Sequence, residues 1–327
     1  MANFLVTGAA GFIGSAITRE LLRRGENVRG FDDFSTGKPE NIADLDGLDF
    51  RRASLLNADA LASACDGVDY VIHQAALPSV PKSVAEPQLT HAVNINGTLN
   101  LLLAARDKKV KRVVYAASSS AYGETQALPK TEEMAPSPIS PYAVQKLTGE
   151  LYMQCFSRVY GLETVCLRYF NIFGPRQDAE SQYSAVLAKF ITQMLQGRTP
   201  TIYGDGEQSR DFTYVDNAVQ ANLLACTADK RASGQVFNIA MGARYSLNET
   251  YKMLQEIIQF PGPPKYEPER VGDVKHSLAD ISLAKKFLGY SPRVSFAEGL
   301  RHTVDWYKQL LEIERVAAAS HSSSVAR

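Results

Sequence analysis

The sequence predicts an α/β fold in which helices cover both faces of a doubly wound parallel sheet, followed by a smaller mixed α/β region. Three observations support this prediction. Short apolar runs typical of buried strands alternate with helical patterns through the first half of the chain. A glycine-rich turn follows the first apolar run directly. After Asn171 the pattern changes to polar, glycine-containing loops. Strands that alternate with helices are characteristic of parallel sheets.

The first predicted element is a buried strand at residues 4–7, which leads into GAAGFIG at residues 8–14 and then a helical pattern that stops at Gly25. Glycines permit a tight turn and a close approach to a pyrophosphate, at which the helix N-terminus is aimed. A second strand, residues 28–31, ends at Asp32, where a carboxylate accepts ribose hydroxyls and repels a ribose phosphate. This pattern favours a Rossmann-type site for NAD over NADP. The alternative is a structural turn beside a solvated Asp.

The remaining strands of the predicted sheet follow in order at residues 48–51, 70–73, 113–117 and 165–170, with a long helix from about 87 to 106. Ligands of such sheets bind at the carboxyl ends of the strands. Ala75 and Ala76 follow one strand end, where small side chains would let a cofactor lie against the strand. His73 is interpreted as a packed polar residue, because no second ligand stands at metal-binding spacing.

Two short segments carry the residues best suited to catalysis, SSSAYG at 118–123 and YAVQK at 142–146. Tyr142 and Lys146 are four residues apart and therefore share one helix face. A nearby ammonium lowers the pKa of a phenol, and Ser118 at a strand end would complete a proton-transfer site. The alternative is an ordinary surface pair. The convergence of the glycines, Asp32, Ala75 and the serines on one sheet edge favours the catalytic interpretation.

Composition excludes several classes of partner. The chain has 35 basic and 35 acidic residues, so its zero formal net charge gives no reason to expect nucleic acid or a membrane surface. Its four cysteines lack metal-like spacing and are expected as core residues in a reducing cytoplasm, with no metal bound. No apolar run approaches the roughly 18 residues of a membrane-spanning helix, and no signal segment opens the sequence.

The second half contains Arg210 and Arg270, each in a glycine-containing loop. Two such arginines can clamp a diphosphate through forked hydrogen bonds, and the alternative is that both are solvated surface residues. We predict an NAD-binding domain at residues 1–168, to which the chain returns near 212–237. A substrate-binding domain is predicted at 169–316 and a disordered tail at 317–327.

With these residues assembled, the chain resembles the extended short-chain dehydrogenase/reductase family, and within it the nucleotide-sugar 4-epimerases. The resemblance covers the chain from Thr7 to about Trp306. The motifs, in family order, are GAAGFIG (8–14), DDFSTG (32–37), HQAA (73–76), NINGT (94–98), SSSAYG (118–123), YAVQK (142–146), RYFN (168–171), YGDGEQSRDF (203–212) and RVGD (270–273). QAALPSVPKS (74–83) and HSLAD (276–280) are most similar to bacterial enzymes that act on UDP-N-acetylglucosamine.

The resemblance implies NAD as the cofactor. It implies contacts from Gly8, Gly11, Phe12, Ile13, Asp32, Asp33, Ser35, Thr36, Gly37, Leu55, Gln74, Ala75, Ala76, Asn94, Tyr142, Lys146 and Tyr169. Ser54 stands where many members have an Asp that contacts adenine, so that contact is not expected here.

The resemblance also implies roles at the substrate. Tyr142 would take the proton of the 4-hydroxyl group, Lys146 would lower the tyrosine pKa, and Ser118 would hydrogen-bond the same oxygen. The UDP-sugar would be held by Ser119, Asn171, Ala185, Val186, Tyr203, Arg210, Arg270, Asp273 and Ser277. The family usually forms homodimers, which here would use the helices near 89–106 and 142–160.

The serine triplet distinguishes between the reactions that this family performs. Related dehydratases have an Asp and a Glu where Ser119 and Ser120 stand, and related decarboxylases have Glu at the second place; hydroxyl groups do not easily replace these acids. We therefore predict reversible inversion at the 4-position of a UDP-hexose through a 4-keto intermediate. Alternatives are a UDP-glucuronate 4-epimerase and a catalytically idle NAD-binding protein.

Ser277 gives the prediction for the sugar. In the resembling epimerases a bulky Tyr at this place restricts the enzyme to sugars without an N-acetyl group, whereas Ser277 is small. The sequence thus predicts turnover of UDP-N-acetylglucosamine and UDP-N-acetylgalactosamine, and of UDP-glucose and UDP-galactose, with the acetylated sugars preferred.

Overall fold

A computed structural model describes the fold of residues 1–179, 186–269 and 275–325. Its strands are β1 Asn3–Thr7, β2 Asn27–Asp32, β3 Asp49–Arg52, β4 Tyr70–His73, β5 Arg112–Ser118, β6 Glu163–Tyr169, β7 Ile172–Phe173, β8 Thr201–Tyr203, β9 Ser209–Arg210, β10 Thr213–Tyr214, β11 Gln235–Ile239, β12 Tyr245–Ser246 and β13 Lys265–Glu267. Its α-helices are α1 Phe12–Arg23, α2 Ala58–Ala64, α3 Val80–Ala85, α4 Pro87–His91, α5 Gly97–Asp107, α6 Pro141–Tyr160, α7 Val186–Leu195, α8 Val215–Thr227, α9 Leu247–Ile258, α10 Ser282–Leu288 and α11 Phe296–Val325.

The main sheet contains seven of the described strands, in the order β11-β6-β5-β4-β1-β2-β3. Every neighbouring pair is parallel. The strand order runs outward from β1 in both directions, so the sheet is doubly wound, with its switch point between β1 and β4. All carboxyl ends therefore lie along one edge, where ligands bind in such sheets. The predicted fold class is confirmed.

Helices bury both faces of the central strands, which explains why β1, β4 and β5 are nearly continuous apolar runs. On one face, Ile17 of α1 and Val219 of α8 join a cluster that includes Val6 of β1. On the other face, Leu102 of α5 and Met153 of α6 join a second cluster, which contains Leu5, the neighbour of Val6 along β1. Successive residues of a strand point to opposite faces, so β1 contributes to both clusters.

The C-terminal region is a smaller mixed α/β unit with its own apolar cluster. Helices α7, α9 and α11 contribute Phe190, Leu254 and Phe296 to this cluster. Short two-stranded pairings complete the region: β7 with β10 and β8 with β13 are parallel, and β9 with β12 is antiparallel. Between these parts the chain returns to the main sheet, because β11 pairs with β6. The exact domain boundaries stay a prediction.

Two elements differ from the sequence prediction. The expected helix at 87–106 consists of α4, a π-helical turn at Ala92–Asn96, and α5. An extra residue in such a turn shifts the side chains that follow around the helix. At the other end, α11 continues to Val325, where the sequence predicts a disordered tail. Residues 316–319 are Val-Ala-Ala-Ala, and alanine has the highest helix propensity. Within the described ranges, no helix combines the length and apolarity needed to cross a membrane.

Candidate active site

The glycine turn between β1 and α1 packs closely against the backbone that follows β4. Gly8 has a φ of 71°, and a Cβ atom there would lie 2.7 Å from the backbone nitrogen of Ala75. Helix α1 begins after Gly11 without a side-chain cap and without an acidic residue in its first turn, which contains Phe12 and Ile13. The unpaired amides of a helix start attract anions, so this turn fits a diphosphate.

Asp32 ends β2 beside that turn. Its Oδ2 accepts from the Ala10 amide at 3.0 Å and its Oδ1 accepts from the Phe34 amide at 2.8 Å. Burial raises the pKa of Asp32, and the two amides oppose the rise by stabilising the carboxylate. Each oxygen has lone-pair capacity left for a ribose hydroxyl. Asp33 instead accepts from the Ser35 amide at 2.9 Å and so orders the loop that also contains Thr36.

His73, the last residue of β4, is packed inside the protein. His73 is fully buried, with Nδ1 2.7 Å from Thr7 Oγ1 and Nε2 3.0 Å from Thr98 Oγ1. Burial lowers its pKa to about 3, so the imidazole is neutral. The interpretation of His73 as a packed polar residue is confirmed. Among the described residues there is also no His, Cys, Asp and Glu group suited to a metal ion.

Two predicted cofactor residues, Asn94 and Leu55, form hydrogen bonds with other groups of the protein. Asn94, in the π-helical turn, accepts from the Leu77 amide at 2.8 Å and donates to Gln145 Oε1 at 2.8 Å. The Asn94 side chain therefore holds the chain after β4 against α6. Leu55 is buried in the core, and its oxygen accepts from Asn100 Nδ2 at 3.2 Å.

Tyr169 and Gln74 meet where β6 and β4 end. Gln74 Nε2 donates to the Tyr169 hydroxyl at 3.0 Å and to Asn222 Oδ1 at 3.1 Å. The Asn222 Nδ2 in turn donates to the Tyr169 hydroxyl at 2.7 Å. These bonds join two predicted cofactor residues to α8, and Ala76 lies two positions beyond Gln74.

Helix α6 brings Tyr142 and Lys146 to this edge. Ser140 caps the helix by accepting from the Ala143 amide at 3.1 Å, and Pro141 occupies the first turn, where its fixed φ suits a helix start. Ser118, the last residue of β5, lies close enough to Tyr142 to oppose the rise of its pKa. The predicted Ser and Tyr are therefore brought together, and Lys146 lies one turn after Tyr142 on the same helix.

The serine triplet forms a short hydrogen-bonded turn. Ser118 Oγ accepts from the Ser120 amide at 3.2 Å and from Ser120 Oγ at 2.8 Å. With both of these donors directed at its oxygen, the Ser118 hydroxyl keeps its own proton available for a neighbouring acceptor. Ser119 lies between them at the start of a 3₁₀ turn, Ser119–Tyr122.

The ammonium of Lys146 is placed differently from the sequence expectation. Its Nζ donates to the Ala116 oxygen at 2.7 Å and lies 4.9 Å from the centre of the Tyr115 ring. Burial lowers the pKa of Lys146 to about 8. Burial raises the pKa of Tyr142, and the protein group that opposes this rise is Ser118. The expected lowering of the tyrosine pKa by Lys146 is thus not seen among the protein groups.

Glu150 is a residue that sequence reasoning missed. It follows Tyr142 and Lys146 on α6 at the i, i+4, i+8 spacing, which was the available signal. Its carboxylate forms a two-point ion pair with Arg168 of β6, at 2.6 and 2.9 Å, and both side chains are 3% exposed. The guanidinium also lies 4.6 Å from the centre of the Tyr122 ring. This pair joins the helix that carries Tyr142 to the sheet.

A cleft of about 1370 Å³ lies between the loop after β2 and the C-terminal region. Its walls include the predicted substrate residues Asn171, Val186, Tyr203 and Arg210, together with Gly37. Ser118 and Tyr142 are not among its described lining residues, so the cleft suits the nucleotide half of a substrate. Ala185, Arg270 and Asp273 lie outside the described residues, so the expected pairing of two arginines is not described.

Ser277 lies beside Asn171. Its Oγ accepts from Asn171 Nδ2 at 3.1 Å and from the Asp211 amide at 3.4 Å. Asn171 has a φ of 39°, a left-handed conformation that Asn adopts more readily than most residues. It follows Tyr169, which pairs with Ser118 in the sheet, so Ser277 belongs to the same end of the molecule as the serine triplet.

Asp211 is a second residue that sequence reasoning missed, although it stands inside a family motif. It is fully buried, and its oxygens accept from the amides of Met241, Gly242 and Ala279. Burial raises the pKa of Asp211 to about 7, against the effect of these three amides, which favour the carboxylate.

Comparison with known proteins identifies the family. A family model described as the NAD dependent epimerase/dehydratase family matches residues 4–240. The UDP-glucose 4-epimerase of Mycolicibacterium smegmatis is 38% identical over 309 residues, covering 93% of this chain and 98% of that protein.

Solved structures give the same fold. The UDP-N-acetylglucosamine 4-epimerase of Methanobrevibacter ruminantium, in complex with UDP-N-acetylmuramic acid, is 43% identical with a TM-score of 0.90, covering 94% of this chain and 99% of that chain. The UDP-glucuronic acid 4-epimerase of Bacillus cereus, with UDP-glucuronic acid and NAD, is 36% identical with a TM-score of 0.86 and the same coverage.

Proposed function

Since the chain belongs to the NAD-dependent epimerase/dehydratase family, in which it is a UDP-sugar 4-epimerase, we propose that it interconverts UDP-N-acetylglucosamine with UDP-N-acetylgalactosamine and UDP-glucose with UDP-galactose. The observation that carries the choice of sugar is the small Ser277, held beside Asn171. A serine there leaves space for an acetamide group, and its relatives include enzymes named for both sugars.

NAD is the cofactor, and the residues at the sheet edge fit it. Gly8, Gly11 and the first turn of α1 would hold its diphosphate, and Asp32 would accept the ribose hydroxyls. When bound, NAD would supply the acceptor for the hydride of the sugar and the source from which that hydride returns.

The proton is handled by the protein. Tyr142, as the phenolate, takes the proton of the 4-hydroxyl group while the hydride leaves the sugar, and Ser118 beside it stabilises the phenolate before this transfer. Lys146, fixed by the Ala116 oxygen, holds a cofactor ribose hydroxyl and keeps positive charge at the reacting end. The 4-keto sugar then rotates about its bond to the diphosphate, so that the opposite face of its fourth carbon receives the hydride. Tyr142 then returns the proton to the oxygen on that carbon.

The serine triplet supports inversion over elimination or decarboxylation. Ser119 and Ser120 supply hydroxyl groups at the places where those reactions need a carboxylic acid. The hydroxyl of Ser120 is already directed at Ser118. We assign Ser119 to the sugar and Asn171, Val186, Tyr203 and Arg210 to the uridine diphosphate.

The direct test is incubation of the purified protein with UDP-N-acetylglucosamine alone, without added NAD, with products identified by proton NMR. We expect UDP-N-acetylgalactosamine, because a cofactor regenerated in each cycle needs no second substrate. Parallel samples contain UDP-glucose and UDP-glucuronate. Conversion of UDP-glucose alone would contradict the role of Ser277. Conversion of UDP-glucuronate alone would favour the alternative that the protein is a UDP-glucuronate 4-epimerase, the activity for which the Bacillus cereus relative is named.

Ser277→Tyr tests the sugar preference. A phenol ring should occupy the acetamide space, so kcat/KM for UDP-N-acetylglucosamine should fall by at least about tenfold, while UDP-glucose is affected little. Steady-state kinetics on both sugars measure this difference. Ser277→Ala is the matched control, since it removes the hydroxyl and leaves the space. Equal losses on both sugars in the tyrosine variant would refute the proposed preference.

We also propose a homodimer that uses α4 and α6. Leu89, Val144, Leu151 and Val159 on these helices are 42%, 47%, 55% and 65% exposed. Clusters of exposed apolar side chains mark interaction sites. Leu102 of α5, by contrast, is fully buried in the core of its own chain.

A further inference from the structure

A buried carboxylate connects three segments next to the proposed sugar site. Asp211 lies between β9 and β10, directly after Arg210, and has no exposed surface. The reaction described above does not use it. A charged group is seldom fully buried unless its hydrogen-bonding capacity is satisfied, so its partners indicate its purpose.

The side chain of Asp211 binds two separate segments. Its Oδ1 accepts from the Met241 amide at 2.9 Å, and its Oδ2 accepts from the Gly242 amide at 3.1 Å. These two residues follow β11, the edge strand of the main sheet. The same Oδ2 accepts from the Ala279 amide at 3.2 Å. One carboxylate thus ties the end of the sheet to the segment that contains Ser277.

The backbone of Asp211 holds Ser277 itself. The Asp211 amide donates to Ser277 Oγ at 3.4 Å, and the Asp211 oxygen accepts from Asn171 Nδ2 at 3.1 Å. Asn171 Nδ2 also donates to Ser277 Oγ, and the Ser277 amide donates to the Ser209 oxygen at 3.0 Å. Asp211 therefore contacts this segment from both its backbone and its side chain.

The opposite side of the segment faces the chain that follows the serine triplet. Lys130 forms an isolated parallel bridge with Ala279. The Lys130 amide donates to the Leu278 oxygen at 2.7 Å, and the Asp280 amide donates to the Lys130 oxygen at 2.9 Å. Residues 277–280 thus lie between Asp211 and Lys130. Because Lys130 holds one side of the segment, loss of the Asp211 contacts would release only the other side.

We infer that Asp211 is a positioning residue for sugar recognition, which fixes the place of Ser277 by holding the Ala279 amide. This inference rests on the proposed function and adds a residue that acts through Ser277 without touching the substrate. A carboxylate suits the position because it has only acceptor atoms, and the groups around it are three N–H donors. An amide would direct an NH₂ group at one of those donors and release part of the segment.

The test is Asp211→Asn, assayed as the holoenzyme on UDP-N-acetylglucosamine and UDP-glucose. We expect KM for both substrates to rise about tenfold, and the kcat/KM ratio of the acetylated to the plain sugar to change at least about threefold. The content of bound NAD should stay at its original value, because the NAD residues are elsewhere. A general loss of folding would lower NAD content and kcat together and would not change the sugar ratio.

Asp280→Asn is the matched control. It removes a carboxylate from the same segment, where Asp280 Oδ1 accepts from the Ser282 amide at 2.7 Å, and the side-chain oxygen of Asn can accept the same bond. This control should keep the original KM values and sugar ratio. The inference is overturned if Asp211→Asn folds, retains NAD and shows the original KM and ratio.

Hydrogen exchange on the unchanged protein supplies a measurement that needs neither a variant nor turnover. The amides of Met241, Gly242 and Ala279 should exchange at least about tenfold more slowly than the amides of the exposed residues 243–244. Fast exchange at Ala279 would overturn the inference even if the protein is an active epimerase. Slow exchange in a protein that converts no UDP-sugar would leave the positioning by Asp211 supported and would refute the proposed function.

Discussion

Tyr142 and Lys146 lie in surroundings that move both pKa values away from their usual ranges. Burial raises the pKa of Tyr142 and lowers that of Lys146 to about 8. Both shifts disfavour charge, as expected for groups removed from water. Ser118 is therefore the protein group that favours the phenolate of Tyr142, and the bond from Ser120 orients that serine.

Tyr142→Phe tests the assignment of the base at the scale of one atom. Loss of the hydroxyl should reduce kcat by about 10²–10⁴, the usual contribution of general acid–base catalysis, while NAD remains bound. Turnover is measured by NMR, and bound NAD by chromatography of the cofactor released on denaturation. Tyr160→Phe is the matched control, at the exposed end of the same helix. Retained turnover in the Tyr142 variant would exclude it as the base.

At the scale of elements, α6 acts as a rigid support for the reacting groups. Its start is fixed by the Ser140 cap, and it ends at Gly161, which has a φ of 69°. Between these ends, the Glu150–Arg168 ion pair joins the helix to β6. Removing one member of a buried pair leaves an uncompensated charge, so both Glu150 and Arg168 are needed to hold α6 against β6.

The loop after β2 supports Asp32 in a similar way. A Cβ atom at Gly37 would lie 2.9 Å from both carboxylate oxygens of Asp32 and 2.9 Å from the Ala10 side chain. Gly37→Ala should therefore displace the carboxylate and weaken NAD retention by about tenfold or more, the equivalent of one charge-assisted hydrogen bond. Dialysis followed by cofactor quantification measures this loss.

Gly47→Ala is the control for the loop variant. Gly47 has a φ of 80°, so alanine strains the backbone, but a Cβ atom there meets nothing within 4 Å. This control should lose some thermal stability and keep its NAD. If both variants lose NAD equally, the contact between Gly37 and Asp32 is not responsible.

At the scale of the whole molecule, the three largest apolar clusters among the described residues contain most of the buried side chains. Two of them pack helices onto the two faces of the sheet, and the third joins α7, α9 and α11. Ligands of such sheets bind at the carboxyl edge, so the proposed cofactor residues of the first half and the proposed substrate residues of the second are expected to act at this end of the molecule.

The exposed apolar residues of α6 predict an effect on assembly. Leu151→Glu combined with Val159→Glu should shift the protein from dimer to monomer in size-exclusion chromatography with light scattering, because charged side chains oppose burial at an interface core. Ile313→Glu is the control, since Ile313 is 66% exposed on α11, away from α6. A dimer that persists in the double variant would exclude α6 as the interface.

The features that follow local rules of sequence could be predicted before the structure. Strands that end in a glycine turn and in Asp32 must bring both to one edge of a parallel sheet, and a four-residue spacing must place Tyr142 and Lys146 on one helix face. The strand and helix pattern therefore predicted the fold class and the convergence of Ser118, Tyr142 and Lys146. The family motifs indicated which residues are predicted to bind the substrate.

The hydrogen-bond partners of the buried polar groups became known from the folded structure and not from the sequence. Asn94 binds Leu77 and Gln145, Lys146 binds the Ala116 oxygen, and Asp211 binds amides 30 to 68 positions away. No local pattern specifies such bonds, because they depend on which distant segments pack together and on which backbone amides the packing leaves unpaired. A buried donor or acceptor must find a partner, and the fold as a whole determines which partner is within reach.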